Sequence, residues 1–133
     1  MNSCGENSKK QRATSDDRLN EIGDIVLQIK DHSVIKGHRN EVDQHQAFID
    51  GNSKLDWPDG NHNAYPSKAQ DVRTYPWPEK EQDQREEQLY LLGLYRGIAH
   101  MLGYKLRTGA DWDRDGEIAD NGFDDFFHVE IDE

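Results

Sequence analysis

The chain has 133 residues, enough for one compact domain and too few for two that could each bury a core. Acidic residues outnumber basic ones 27 to 16 and the formal net charge is −11, which argues against a nucleic-acid partner, because phosphate binding needs a Lys/Arg surface. Hydrophobic residues make up 33 % of the chain, so the core is modest, and Cys4, the single cysteine, rules out an intrachain disulfide or a thiolate metal cluster.

Residues 1–14 are small, polar and charged without hydrophobic periodicity, and predict a flexible leader ahead of a domain over 15–133. The opening MNSCGENSKKQR holds no apolar run suited to a secretory signal, and no later segment reaches membrane-spanning length. Synthesis in a cytoplasm without a signal peptide is therefore expected, and a monomer is assumed.

Ser15, followed by Asp16 and Asp17, predicts a helix start, and Leu19, Ile22, Val26 and Ile29 predict one apolar face over 16–30. Val34-Ile35 is a short apolar pair before Gly37, and the run from Asn40 into Ala47, Phe48 and Ile49 predicts a short helix closed by Gly51. The stretch 51–66 is rich in Gly, Pro, Asn and Asp and reads as a long irregular loop. Residues 69–73 predict a strand, which Tyr75-Pro76-Trp77-Pro78 cannot continue. The longest helix is expected from Lys80 or Gln84 to Leu102, with Leu89, Leu92, Tyr95, Ala99 and Leu102 on one face and Gly103 as the stop. A strand from Tyr104 to Arg107, an acidic loop over 108–124 and a final strand from Phe127 to Ile131 complete an α+β domain, a small antiparallel sheet flanked by two main helices.

In the final strand Phe127, Val129 and Ile131 share one parity and His128 and Glu130 the other, so an inward apolar trio turns His128 toward a cleft. The same alternation separates Asp71 from Val72, so Asp71 and His128 can meet across the sheet. With His62, from the preceding loop, they supply the nitrogen and oxygen ligands that Zn²⁺ prefers and leave a fourth position open. Asp125, three residues before His128, is placed to act as a general base, and Arg39 offers a planar fork of donors for an oxyanion or a substrate carboxylate. Spacing alone does not single out this set among six histidines and 27 acids.

Ser15 with Arg18-Leu19, VIKGHR at 34–39, SKLDWP at 53–58, HNAYPSKAQDV at 62–72, GIAHMLGYKLR at 97–107 and DWDRDGEIADNGFDDFFHVE at 111–130 recur in the order found in a known family. The chain resembles small phage-type M15 zinc peptidases, which are similar to D-alanyl-D-alanine carboxypeptidases and phage L-alanyl-D-glutamate endopeptidases. The resemblance implies a zinc cleft on the sheet with His62, Asp71 and His128 as ligands, Asp125 as acid/base and Arg39 as the substrate or transition-state arginine. It implies hydrolysis of stem peptides of bacterial peptidoglycan, first as an L-alanyl-D-glutamate endopeptidase acting on the wall after release from a host cytoplasm. A D-alanyl-D-alanine carboxypeptidase, or a catalytically silent wall-binding or virion relative, is the alternative. Gly60, Gln70 and the Phe126-Phe127 pair depart from the family pattern.

Asp111, Asp113 and Asp115 before Gly116 resemble the start of a calcium loop over 111–120, although the twelfth position is Gly122; the commoner reading is a solvated turn with Trp112 tucked inward. His32, His38, His45 and His100 are expected outside the site. Trp57, Tyr75 and Trp77 are expected to pack a loop rather than to line a ligand.

Overall fold

The structure is a computed structural model, and it describes residues 5–117 and 125–132. The helices are α1 (Glu6–Arg12), α2 (Asp17–Leu27), α3 (Glu41–Ile49) and α4 (Glu81–Leu102); the strands are β1 (His32–Lys36), β2 (Ala69–Thr74), β3 (Leu106–Thr108) and β4 (His128–Ile131). The strands form one antiparallel sheet in the order β1-β2-β4-β3, which gives the expected α+β architecture.

One face of this sheet is apolar. Val34, Val72, Leu106, Val129 and Ile131 meet Leu19, Ile22 and Val26 of α2 and Leu91, Leu92, Tyr95 and Ala99 of α4 in a single core. Both main helices thus cover the same face and leave the other to the candidate site. Burying each of the Val, Leu and Ile side chains contributes about 1.5–3 kcal/mol, so the small core is decisive for a chain this polar.

Boundaries differ from expectation where capping intervenes. Asp16, rather than Ser15, caps α2 by accepting the Arg18 N–H at 2.8 Å, while the Ser15 hydroxyl donates to the Gln11 carbonyl. The helix ends at Leu27, so Ile29 falls beyond the apolar stripe and is exposed. Gly103 stops α4 in the left-handed region at φ 82°, and Tyr104 N–H still bonds back to Ala99. That closing bond delays β3 to Leu106. β4 begins at His128, so Phe127 lies outside it and stacks on Trp77, while Phe126 packs against the core.

The largest correction is at the leader. Residues 6–12 form α1, which packs along the outer edge of β1. The Ser8 hydroxyl accepts from Val34 N–H, Gln11 Oε1 from Gly37 N–H, and Thr14 Oγ1 from His38 N–H, at 3.0, 3.1 and 2.9 Å. These bonds cover backbone donors that an edge strand otherwise presents to solvent. The contact is polar, which is why no hydrophobic period announces it. Residues 1–4, including Cys4, lie outside the described residues.

Candidate metal centre

The site is built on the polar face of the sheet. Antiparallel pairing of β2 with β4 sets Asp71 directly opposite His128, and the alternation that buries Val72 and Val129 turns both site residues away from the core. His62 arrives from a 3-10 turn, Asn61–Asn63, at the end of the long loop. Its Nε2 lies 3.3 Å from Asp71 Oδ1, and His128 Nδ1 lies 3.6 Å from the same oxygen. The two imidazole rings approach edge to face at 5.1 Å.

The donor set fits a metal ion. One ligand atom from each of His62, Asp71 and His128 falls within 4.8 Å of the others, in the mixture of imidazole and carboxylate that suits zinc. Among the described residues, His62 Nε2 and Asp71 Oδ1 are buried without hydrogen-bond partners, a costly arrangement that a shared cation would relieve. The far nitrogen of each ring is engaged. His62 Nδ1–H donates to the Gly37 carbonyl at 2.7 Å, and His128 Nε2–H donates to Glu130 Oε1 at 2.6 Å. His62 therefore offers Nε2 and His128 offers Nδ1.

Titration is strongly perturbed at His128, Asp71 and Asp125. Burial pulls His128 down, but the Asp71 and Glu130 carboxylates outweigh it and hold the imidazolium up to about 9. Burial pushes Asp71 up, yet the opposing imidazoles, His62 foremost, keep its carboxyl well below the usual carboxylate range. Asp125 moves the other way, raised by burial and then by the nearby Asp71 charge. Two acids in one cleft with opposite shifts are what separate acid/base and ligand roles require.

Asp125 and Arg39 both line the same cleft as His62 and His128, a cavity of about 440 Å³. Arg39 Nη2 stands 3.5 Å from Asp71 Oδ2, and its backbone N–H donates to the His62 carbonyl at 2.7 Å. Asp125 is held from behind: its N–H donates to Gly109 O at 2.9 Å, and a Cβ on Gly109 would stand 1.9 Å from the Asp125 carbonyl. Gln88 of α4 donates to the carbonyls of Val72 and Phe126, tying the turn after Asp125 to β2. All five sequence-predicted site residues are thus gathered in one place.

Sequence reasoning missed several neighbours. Trp112 stacks on His128 at 5.1 Å, so it forms a wall of the cleft as well as a loop anchor. Glu130, Asn61, Arg107 and Gln44 also line the cleft; of these only Glu130 carried a signal, its shared parity with His128. Of the departures from the family pattern, Gly60 lines the cleft and the Phe126-Phe127 pair lies between Asp125 and His128, while Gln70 lies away from it. Gln70 points to the core side, where its amide donates to Asn20 Oδ1 at 2.9 Å.

The remaining histidines stay out of the site: His32 bonds Tyr95, His38 bonds the Ala64 carbonyl, and His45 pairs with Asp56. Trp77 is sandwiched by Phe127 and Arg73, and Trp57 lies beside His38, both as loop packing. Asp111, Asp113 and Asp115 bring carboxylate oxygens within 4.8 Å of one another, while Asp120, Gly122 and Asp124 lie outside the described residues. Among the described residues no helix is long and apolar enough to cross a membrane.

Comparison with curated proteins returns no match. The crystal structure of the Serratia marcescens L-Ala D-Glu endopeptidase ChiX is similar, with a TM-score of 0.71 and 17 % identity over 96 % of this chain and 87 % of that one, which shows a shared fold. The family model described as phage L-alanyl-D-glutamate peptidase matches residues 2–131, a description that names the L-alanyl-D-glutamate bond rather than the carboxypeptidase alternative. With nearly its whole length covered by that match, the chain belongs to the phage L-alanyl-D-glutamate peptidase family.

Proposed function

We propose that this family member is a zinc-dependent endopeptidase that cuts the L-alanyl-D-glutamate bond of peptidoglycan stem peptides, as a phage endolysin does. The observation that carries the zinc assignment is the pair of buried, unpartnered atoms, His62 Nε2 and Asp71 Oδ1, facing one another beside His128. His62, Asp71 and His128 would hold the ion, which when bound supplies Lewis acidity toward the scissile carbonyl and lowers the pKa of water.

Asp125 takes the proton from the attacking water as its oxygen bonds to the carbonyl carbon. It returns that proton to the amine nitrogen as the carbon–nitrogen bond breaks. Its raised pKa, caused by burial and by Asp71, suits both directions of transfer. Arg39 holds the negative charge that develops on the carbonyl oxygen, and its tie to Asp71 and to the His62 backbone keeps it in register with the ligands.

Peptidoglycan digested with chelated protein and with zinc-restored protein, followed by mass spectrometry of the released termini, tests the reading. New N-terminal D-glutamate only in the zinc-restored sample is expected. Stoichiometric zinc uptake without cleavage of several wall chemistries would instead favour a silent relative. The converging carboxylates of Asp111, Asp113 and Asp115 support a secondary reading, calcium on the 111–120 loop. A calcium-dependent rise in melting temperature of the chelated protein is its test, and an unchanged melting temperature at millimolar calcium removes it.

A further inference from the structure

We propose that Glu130 is a positioning residue of the metal centre, fixing which ring nitrogen His128 presents to Asp71, with Arg107 and Asn61 holding Glu130 itself in place. The inference rests on the metal-centre reading above.

Glu130 is only 4 % exposed, on the polar face of β4, and a buried carboxylate is tolerated only when donors surround it. Three do. Oε1 accepts from His128 Nε2 at 2.6 Å, and Oε2 accepts from Asn61 Nδ2 at 2.6 Å and from Arg107 Nη2 at 2.8 Å. Glu130 does not belong to the converging ligand set of His62, Asp71 and His128, so its contact with His128 is directed at the ring nitrogen that faces away from that set.

The anchoring is distributed over the fold. Arg107 is the direct cross-strand partner of Glu130 on β3, and Asn61 precedes His62 in the 3-10 turn. One carboxylate therefore joins the strand of one histidine ligand to the turn of the other. Arg107 also lies over the Trp112 ring at 5.5 Å, and Trp112 stacks on His128, so the ring is restrained on its face and at its far nitrogen.

Acceptor capacity makes the carboxylate specific. Donors converge on both Glu130 oxygens, and a glutamine at this position offers an acceptor on one side only. Its amide NH₂ must face either the Arg107–Asn61 pair or His128 Nε2. In the second case Nε2 becomes the acceptor, the ring proton moves to Nδ1, and the lone pair directed at Asp71 is lost.

The test is zinc affinity by chelator competition for the wild-type protein, Glu130→Gln and Asn61→Ala, with melting temperatures of the metal-free forms. Long-range ¹⁵N NMR of the zinc-loaded wild type is added to assign the histidine protons. Glu130→Gln is expected to weaken zinc binding by roughly 10–100-fold with Asn61→Ala weakening it less, and the loaded wild type to carry its His128 proton on Nε2 and its His62 proton on Nδ1. Wild-type zinc affinity in a folded Glu130→Gln, or a loaded wild type with the His128 proton on Nδ1, overturns the proposal. Should Glu130→Gln not fold, the wild-type NMR assignment decides alone. A wild type that takes up no zinc removes the metal-centre reading and this inference together, an outcome distinct from normal uptake that is indifferent to residue 130.

Discussion

The two faces of the sheet are made from the same strands, one residue apart, and obey opposite rules. On the core face Val72, Val129 and Ile131 bury apolar surface under α2 and α4, where shape and volume decide the outcome. On the other face Asp71, His128 and Glu130 are buried or nearly so among charged neighbours, where donors, acceptors and protons decide it. The apolar face stabilises the fold, while the polar face gathers unpartnered atoms and two carboxyls displaced in opposite directions, one below and one above the usual range.

Asp125→Ala should break the symmetry most sharply. A loss of about 10²–10⁴-fold in peptidoglycan cleavage is expected with zinc content unchanged, because Asp125 is not in the ligand set. Turnover measured against elemental zinc analysis checks it, and undiminished turnover would remove the acid/base role. The converse substitution is Leu19→Ala in α2, fully buried in the core. It should cost about 2–5 kcal/mol in chemical denaturation, while the protein that remains folded keeps its zinc affinity.

A pH series sharpens the contrast. The folded His128 pKa of about 9 lies above the ordinary 6.5, so its charged form stabilises the metal-free fold. That contribution is fully present below about 6.5 and is lost as pH rises through about 9. Zinc needs the Nδ1 lone pair and must displace the proton, so its apparent affinity should rise over the same window. Melting of the metal-free protein and zinc competition should therefore slope in opposite directions, and parallel slopes would contradict the placement of that proton. The smallest effect is expected at the α1 edge. Thr14→Val removes the acceptor for His38 N–H and should cost about 1 kcal/mol, read from denaturation midpoints.

Legibility in the sequence followed the same division. Leu19, Ile22 and Val26 announced α2 by their period, and Asp71 and His128 were placed on one face by alternation alone, because burial of apolar neighbours leaves a repeating trace. Polar contacts leave none. Ser8, Gln11 and Thr14 dock the leader on backbone donors of β1 and of the turn that follows it, some 25 residues away, so the leader looked unstructured. Trp112 was visible as an anchor but not as a wall against His128, since a loop residue has no parity to reveal its direction. His62 was one candidate among six histidines until the family resemblance singled it out, because nothing local ties a turn after a long loop to the sheet it faces.

The strand order has a consequence in time. β4 comes last along the chain among the four strands, yet it lies inside the sheet, between β2 and β3. During translation Asp71 and His62 emerge long before His128, and β2 waits with one edge unpaired until the chain through Ile131 is available. A nascent chain stopped short of that strand carries His62 and Asp71 without His128, and it exposes strand edges that invite aggregation. The three converging residues are thus brought together in one non-local step, when β4 pairs with β2.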